Sequence, residues 1–288
     1  MKIAFSALLL AAVAVAGPAS AAPAAWTQPM APFRVIDNVY YVGSVGISAW
    51  VIKTPAGLIL LDAGMPEYAP TVEANIRALG FRLSDVKILL NSHAHFDHSG
   101  GLARIKADTG AKLIASAGDR QALEQGVYPG WEQDHSFDAP PVKVDRIVAD
   151  GGTVALGGVR LTAMITPGHS EGCTNYLLTV RDRGIAHTAF FFCSASVAAN
   201  RLVPNPQYPA IVADYRRTFA RLKTVRADIF LAPHAEFYDL AEKRAKLGKP
   251  GPNPFIVPDE MQKLVADMKA GFVKALAEQT LREKLSTR

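Results

Sequence analysis

The residues with the clearest chemical potential lie between His93 and His98, in the sequence His-Ala-His-Phe-Asp-His. They follow Val86–Leu90, a short apolar run typical of a buried strand. In an extended segment His93 and His95 project to the same side, so the pair can bind one metal ion. Asp97 and His98 project differently once the chain turns, and they suit a second ion. Imidazole nitrogen and carboxylate oxygen are good zinc ligands, which predicts a metal site rather than a polar loop of hydrogen-bonding histidines.

Two further histidines stand where predicted strands end, His169 in Thr-Pro-Gly-His and His234 in Ala-Pro-His. Each alone would be interpreted as a loop histidine, but with the first cluster they complete a set of five histidines and one aspartate. That set provides two sites of three ligands with open positions. Three protein ligands plus water is the pattern of a catalytic zinc. His135 and His187 fall in no such context and are interpreted as structural.

The elements that must position these residues begin with a predicted β-meander. Short alternating runs bounded by turn residues indicate strands, and runs with helical spacing indicate helices. Gly80 is a natural helix C-cap, and Gly100 with Gly101 is expected to allow a tight turn behind the histidine cluster. The predicted strands are Phe33–Val35, Val39–Val42, Ala49–Lys53, Leu58–Asp62 and Val86–Leu90, and the helices are Thr71–Leu79, Gly101–Asp108 and Ala117–Gln125.

The second half of the chain repeats this plan of strands followed by a helix. Its predicted strands are Val142–Ile147, Thr153–Leu156, Arg160–Ile165, Thr174–Val180, Ala186–Phe192 and Ile229–Ala232, and its helices are Pro209–Val225 and Pro258–Leu285. Strands then helix, twice over, predict an α+β fold in which two sheets pack face to face with helices on the outer faces. Residues 22–288 contain no linker or low-complexity stretch, which predicts a single domain.

Residues 1–21 are predicted to be a secretory signal peptide. A lone cation at Lys2 precedes the apolar run Ile3–Ala16, and Ala19-Ser20-Ala21 forms an A-x-A cleavage site. The apolar run is shorter than the roughly 20 residues that span a bilayer core, which disfavours the alternative of an uncleaved anchor. We therefore expect an exported, periplasmic protein with no stable membrane association after cleavage.

The composition is that of an ordinary globular protein. The chain of 288 residues has 31 Lys+Arg, 26 Asp+Glu, 49% hydrophobic and 20% charged residues, which excludes disordered and disulfide-dense classes. No Lys/Arg block forms a nucleic-acid footprint, so nucleic acid is not an expected partner. The two cysteines permit one disulfide at most.

Five motifs occur in the order that resembles the metallo-β-lactamase superfamily. They are Asp62 after a hydrophobic strand, His93–His98, His169, the segment around Cys193-Ser194, and His234. Other segments resemble the third subclass of class B β-lactamases across almost the whole mature chain. These are Trp26–Met30 with Pro32-Phe33, Tyr40–Gly43, Leu60–Asp62, Asn205–Pro209, Asp214–Arg217 and Gly251–Phe255.

The resemblance implies the αβ/βα sandwich fold and a cofactor of two Zn²⁺ ions. The first zinc would be held by His93, His95 and His169, and the second by Asp97, His98 and His234. A hydroxide between the two ions would open the β-lactam amide bond of penicillins, cephalosporins and carbapenems, which confers antibiotic resistance. The implied partner is a small-molecule β-lactam, and a monomer is expected.

The resemblance also assigns roles to residues around the metals. Asp97 would orient the hydroxide as well as bind metal, and Asp62 would fix a loop without being a ligand. Ser194 and Ser196 would bind the substrate carboxylate, the alternative being solvated turn residues. Substrate preference would rest on the segments Trp131–Phe137 and Val197–Pro204.

Cys193 stands where many relatives carry an acidic residue. A disulfide with Cys173 is favoured, because an export signal places the pair in an oxidising compartment and the two predicted strands are expected to pair. Buried free thiols and zinc ligation by Cys193 are the alternatives.

Two rival functions follow from the same residues. The superfamily includes hydrolases of other substrates, so a periplasmic dinuclear-zinc esterase or lactonase is the first alternative. A zinc-binding protein without enzymatic activity is the second, and the intact set of six ligands disfavours it.

Overall fold

The computed structural model describes residues 22–129 and 135–286. The predicted signal peptide at 1–21 and the part 131–134 of the predicted specificity segment lie outside the described residues. No helix in the described ranges combines the length and the apolar character needed to span a bilayer.

Two β-sheets form the centre of the described chain. The first has seven strands in the order β1 to β7, and the second has five in the order β12-β11-β10-β9-β8. The strands of the first sheet are β1 Phe33–Ile36, β2 Val39–Tyr41, β3 Trp50–Thr54, β4 Gly57–Leu61, β5 Val86–Leu90, β6 Lys112–Ala115 and β7 Arg146–Ile147. Those of the second are β8 Thr153–Leu156, β9 Val159–Ile165, β10 Thr174–Asp182, β11 Ile185–Phe191 and β12 Ile229–Leu231.

Helices cover the outer face of each sheet. They are α1 Ala69–Ala78, α2 Phe96–Ser99, α3 Leu102–Thr109, α4 Ala117–Gln125, α5 Ile211–Leu222, α6 Leu240–Lys246 and α7 Glu260–Ser286. The apolar stripes of α1, α3 and α4 pack on the first sheet, and α5 packs against α7 through the stacked rings of Tyr215 and Phe272. This is the αβ/βα sandwich, so the predicted fold class is confirmed.

Alternating side chains explain why the first sheet needs cover on both faces. Along β3 and β4, Trp50 and Ile59 point into the core between the sheets, whereas Val51 and Leu60 point into the core under the helices. Successive residues of a strand face opposite sides, so a strand apolar at every position must be buried on both. This pattern fixes the four-layer arrangement of helices, sheet, sheet and helices.

Parallel pairing brings the ends of several strands to one edge. β4, β5 and β6 run parallel to one another, as do β11 and β12 in the second sheet. Parallel strands joined by crossover helices carry their following loops at the same edge, which is where such folds bind ligands. A backbone hydrogen bond from Thr174 N to Ser92 O, 2.8 Å long, joins the two sheets at this edge.

Two local predictions were wrong. The predicted strand Val142–Ile147 is a strand only at Arg146–Ile147, because Val142 and Val144 turn into the core beneath the helices instead of pairing along the sheet. Strand β6 was missed, since Lys-Leu-Ile-Ala is too short to separate from the helices on either side. The short helices α2 and α6 were also not predicted.

We expect Phe191→Ala to lower the free energy of unfolding by about 3–5 kcal/mol, because large-to-small changes in a packed core leave a cavity. Phe191 is buried between the sheets with its ring edge-on to Trp50 at 5.5 Å. Urea denaturation measures the loss. Ile185→Ala is the control, because Ile185 lies on the same strand and is 64% exposed. Equal losses in the two variants would contradict the packing assigned to Phe191.

Candidate metal centre

The loop after β5 carries four of the candidate ligands. His93 and His95 are extended, and the chain then enters the one-turn helix α2, which contains Asp97 and His98. The change from extended to helical backbone gives the last two side chains a different direction, yet the ligand atoms of His93, Asp97 and His98 still lie within 4.8 Å of one another. This agrees with the turn that the sequence predicted between the two pairs.

Gly100 and Gly101 are required because a side chain at either position would clash with neighbouring atoms, not because the backbone conformation needs glycine. Gly100 and Gly101 form the turn between α2 and α3 that the sequence predicted, and Gly100 has an ordinary helical φ of −55°. A Cβ atom on Gly100 would lie 2.4 Å from both Phe96 O and Pro66 Cδ, and one on Gly101 would lie 2.5 Å from Ala63 O. Any side chain at either position would therefore push the ligand loop away from the neighbouring segment.

His93, His95 and His169 converge on one point. Their nearest ring nitrogens all lie within 4.8 Å of one another, and His93 Nε2 is 3.1 Å from His169 Nε2. His169 donates from Nδ1 to Ser196 O at 2.7 Å, and His93 Nδ1 lies 2.9 Å from Ser92 Oγ. Because a carbonyl oxygen only accepts, His169 carries its proton on Nδ1, and its Nε2 lone pair faces His93 Nε2.

Asp97, His98 and His234 form a second group beside the first. Asp97 Oδ2 is 3.1 Å from His98 Nε2 and 3.5 Å from His234 Nε2, and the two Nε2 atoms are 3.4 Å apart. His234 is held in place by backbone bonds between its neighbours and residues 46–48. The structure thus brings together all six predicted ligands, although they come from three separate parts of the chain.

Burial lowers the pKa of four of the five histidines, whereas at His98 the Asp97 carboxylate outweighs burial and raises the pKa. Desolvation, followed by the neighbouring histidines, holds the pKa of His93 and His95 well below the usual value, and desolvation lowers that of His169 to about 4 and of His234 to about 3. Burial alone would raise the pKa of Asp97, but His98 and His234 lower it well below its usual range. Four neutral imidazoles and an ionised carboxylate are the forms that bind a metal.

The cluster fits a metal ion on its own geometry. The buried ring atoms His95 Nε2, His98 Nδ1 and His234 Nδ1 have no hydrogen-bond partner among the described residues. Buried polar groups normally have partners, so His95 Nε2, which belongs to the first group, is suited to a ligand. Five imidazoles and one carboxylate are a donor set typical of zinc.

Asp62 fixes the start of the ligand loop. Its carboxylate is fully buried, and Oδ1 accepts hydrogen bonds from Ser92 N at 2.7 Å and Asn91 Nδ2 at 3.1 Å. Burial raises the pKa of Asp62 to about 6, against the opposing effect of His98. Its φ of 59° lies in the left-handed region, which aspartate tolerates better than most residues. Asp62 contacts the residues just before His93 rather than joining either ligand group.

The two serines lie next to the first group but differ in exposure. Ser196 lines the cavity, and its hydroxyl is 3.3 Å from that of Ser194, which is 2% exposed. The backbone oxygen of Ser196 also accepts from the hydroxyl of Tyr215 at 2.7 Å. Ser196 is therefore the serine that faces a ligand in the cavity, and Ser194 supports it.

A disulfide joins Cys173 and Cys193. It connects the start of β10 to the residue pair just after β11, and both cysteines are fully buried. With the two sulfur atoms bonded to each other, Cys193 is not a metal ligand. His135 pairs with Asp138 at the surface, and His187 lies outside both ligand groups.

A cavity of about 990 Å³ opens over the ligands. His98 is fully buried, while the five other ligand side chains line the cavity. An arc of aromatic rings forms the wall and runs from His95 through Tyr128, Phe137, Phe96 and Trp26 to His234.

Several residues that support the site were not predicted from the sequence. Asn200 Nδ2 donates to His169 O at 2.8 Å, and Tyr215 contacts the same loop. Asp119 is a buried carboxylate on α4. It accepts hydrogen bonds from Ala94, in the loop of His93 and His95, and from Ser170, in the loop of His169. The pattern of the sequence carries no signal for such contacts, since each joins residues far apart in the chain.

Known proteins resemble this chain in sequence and in fold. A sequence profile of the metallo-β-lactamase superfamily matches residues 42–234. The crystal structure of BJP-1, a subclass B3 metallo-β-lactamase of Bradyrhizobium japonicum, is similar with a TM-score of 0.88 and 48% identity, over 90% of this chain and 98% of that one. Native FEZ-1 metallo-β-lactamase from Legionella gormanii has a TM-score of 0.85 and 37% identity, over 88% and 98%.

Curated relatives align with a smaller part of this chain. Acyl-coenzyme A thioesterase MBLAC2 of Gallus gallus is 29% identical over 162 residues, which are 48% of this chain and 55% of that protein. The chain spans about half the length, or less, of the curated relatives it matches.

Asp62→Ala is expected to destabilise the protein, because Ser92 N and the Asn91 amide would lose their buried acceptor. Each buried donor left unpaired costs about 1–3 kcal/mol. Asp62→Asn keeps the Oδ1 acceptor and tolerates the left-handed backbone, so its loss in the free energy of unfolding should be clearly smaller. Urea denaturation of both variants measures the difference, and losses of equal size would contradict the role of Oδ1.

Proposed function

We propose that this chain, which belongs to the metallo-β-lactamase superfamily, hydrolyses the β-lactam amide bond of penicillins, cephalosporins and carbapenems and so confers antibiotic resistance. The observation that carries the proposal is the cluster of six adjacent ligand side chains, five of which line a single cavity. The likeness to two metallo-β-lactamase structures over almost their whole length supports this substrate class.

Two zinc ions are the proposed cofactor. His93, His95 and His169 would hold the first ion, and Asp97, His98 and His234 the second. Zinc, when bound, lowers the pKa of a coordinated water towards neutrality and polarises the carbonyl that is attacked. This chemistry needs no serine or cysteine nucleophile, in agreement with the disulfide that occupies both cysteines.

Asp97 has a second proposed role in orienting the attacking water. Its carboxylate is ionised and reaches the cavity from α2, so an oxygen of Asp97 can accept a hydrogen bond from the water. Water adds to the lactam carbonyl carbon, the C–N bond breaks, and the nitrogen receives the proton that the water loses.

Ser196 is the proposed contact for the substrate carboxylate. Its hydroxyl lies 3.4 Å from His169 Nδ1 and 3.3 Å from Ser194 Oγ, so Ser194 orients it towards the cavity. The aromatic wall formed by Trp26, Phe96, Tyr128 and Phe137 would cover the bicyclic lactam and exclude water from it.

We also propose that the protein is exported, that its signal peptide is cleaved after Ala21, and that it acts in the periplasm as a monomer. Its partner would be a small molecule, with neither nucleic acid nor a membrane surface involved.

A second candidate function is a dinuclear-zinc esterase, thioesterase or lactonase. The observation in its favour is the partial match to an acyl-coenzyme A thioesterase. Efficient cleavage of esters or thioesters with no lactam turnover would favour it.

Purified protein is expected to hydrolyse a carbapenem, a cephalosporin and a penicillin in the presence of zinc. Activity should vanish after chelation and return when zinc is restored, because the proposed nucleophile depends on the metal. Absorbance of the lactam measures the rate. A protein that binds two zinc ions but opens none of the three lactams would exclude the β-lactamase proposal.

Ser196→Ala should raise KM for β-lactams about tenfold or more with a smaller effect on kcat, because a hydrogen bond to a charged group contributes about 1.5–3 kcal/mol. Ser194→Ala should have a smaller effect in the same direction. Steady-state kinetics measures both, with the exposed Ser84→Ala as the control. An unchanged KM in Ser196→Ala would remove that residue from carboxylate binding.

A further inference from the structure

The first ligand group is assembled from two loops that belong to different sheets. His93 and His95 follow β5 in the first sheet, whereas His169 follows β9 in the second. A metal ion can be bound tightly only when the three ring nitrogens are already close together, because moving a loop on binding costs free energy. Some contact must therefore fix the distance between the two loops.

Asp119 makes that contact with a single carboxylate. It lies in the first turn of α4 and is 1% exposed. Oδ2 accepts hydrogen bonds from Ala94 N at 3.0 Å and from Ser170 Oγ at 2.9 Å, and Oδ1 accepts one from Gly172 N at 2.8 Å.

Two of the three donors are immediate neighbours of ligands. Ala94 lies between His93 and His95, and Ser170 follows His169. One side chain is thus hydrogen-bonded to a neighbour of every ligand in the first group. A shift of either loop would stretch at least one of these bonds.

Helix α4 and the loop of His169 are also closely packed against each other. Ser116 Oγ donates to Gly172 O at 2.7 Å. A Cβ atom on Gly172 would lie 2.0 Å from Ser116 Oγ, and one on Gly118 would lie 2.6 Å from the carbonyl carbon of Glu171. The loop of His169 therefore packs directly on α4, and this packing fixes the position of Asp119 relative to the loop.

Asp119 is costly to bury, which argues that it does more than fill space. No Lys, Arg or His contact to its carboxylate is present in the described ranges. Burial raises its pKa to about 6 although three hydrogen bonds oppose the rise. A buried carboxylate without a cationic partner is retained at the expense of stability.

We infer that Asp119 is a positioning residue that sets the affinity of the first metal site by fixing the loop of His93 and His95 against the loop of His169. The inference rests on the proposed function only in taking zinc as the metal. It does not depend on which substrate the enzyme hydrolyses.

Asp119→Asn isolates this role because it keeps the shape of the side chain. The amide has one acceptor oxygen, so its NH₂ group must face either Gly172 N or the pair Ala94 N and Ser170 Oγ. A donor placed against a backbone N–H removes one of the links. The variant therefore loses either the bond from Gly172 N or the bond from Ala94 N, which weakens the hold on one loop while the packing volume is almost unchanged.

The test is a titration of metal-free purified protein with zinc in competition with a chromophoric chelator. Asp119→Asn is expected to weaken one of the two bound zinc ions about 10–100-fold, a typical effect of losing support around a metal ligand. The other ion should be weakened clearly less, since only the first group takes ligands from both loops that Asp119 joins. Ser170→Ala removes a single bond and should weaken the same ion by a smaller factor.

Asp145→Asn is the matched control. Asp145 also accepts a backbone N–H, from Leu113 at 2.8 Å, but its side chain pairs with Lys106 away from both ligand groups. Its zinc affinities should equal those of the wild type. Circular dichroism and thermal unfolding report whether each variant is folded, and Ser170→Ala carries the test if Asp119→Asn is not.

Wild-type affinity for both zinc ions in the folded Asp119→Asn variant would overturn the inference. Equal weakening of both ions would overturn it as well, since a general loss of structure has that effect. The proposed function fails in a different way, namely if the wild type binds zinc as expected but opens no lactam.

Discussion

The interaction on which the structure depends is the close approach of six metal-competent side chains, five of them buried and His234 partly buried. Burial disfavours charge, so the pKa of His93, His95, His169 and His234 is lowered, and the lone pairs of these rings are left pointing at one another. Unpaired polar groups in an interior cost free energy unless a ligand satisfies them. When no ligand is bound, the rest of the fold must offset the free-energy cost of these unpaired groups and hold the cluster together.

Two buried carboxylates share that task without joining the ligand groups. Asp62 holds Ser92 and Asn91 at the exit of β5, and Asp119 holds the loops on either side of the first group. The pKa of each is raised to about 6 by burial, so each is itself a cost to stability. The disulfide between Cys173 and Cys193 and the bond from Thr174 N to Ser92 O add links between the strands that end here. The site is therefore a region where stability is exchanged for fixed geometry.

The sequence was informative where the chemistry is local. Strand β5, strand β8 and helix α4 were predicted with the bounds observed, because periodicity and turn residues mark them clearly. The ligands were predicted from their spacing and from the histidines that follow Pro-Gly and Pro. Asp119 and Asn200 were not, since their roles arise from hydrogen bonds across 25 to 53 and 31 positions of the chain, respectively. Short elements such as β6 also escaped, because tertiary packing and not propensity decides them.

The wall of the cavity explains why metal chemistry and substrate choice are linked here. Zinc chemistry of this kind acts on lactams, esters and thioesters alike, so the surroundings must select among them. The aromatic arc begins on one ligand, where Tyr128 stacks on His95 at 4.1 Å, and ends on another, where Trp26 packs on His234 at 5.4 Å. A substrate that displaces either ring also disturbs a ligand. We therefore propose that the aromatic arc selects the substrate by shape, because a substrate that displaces Tyr128 or Trp26 would also move a ligand.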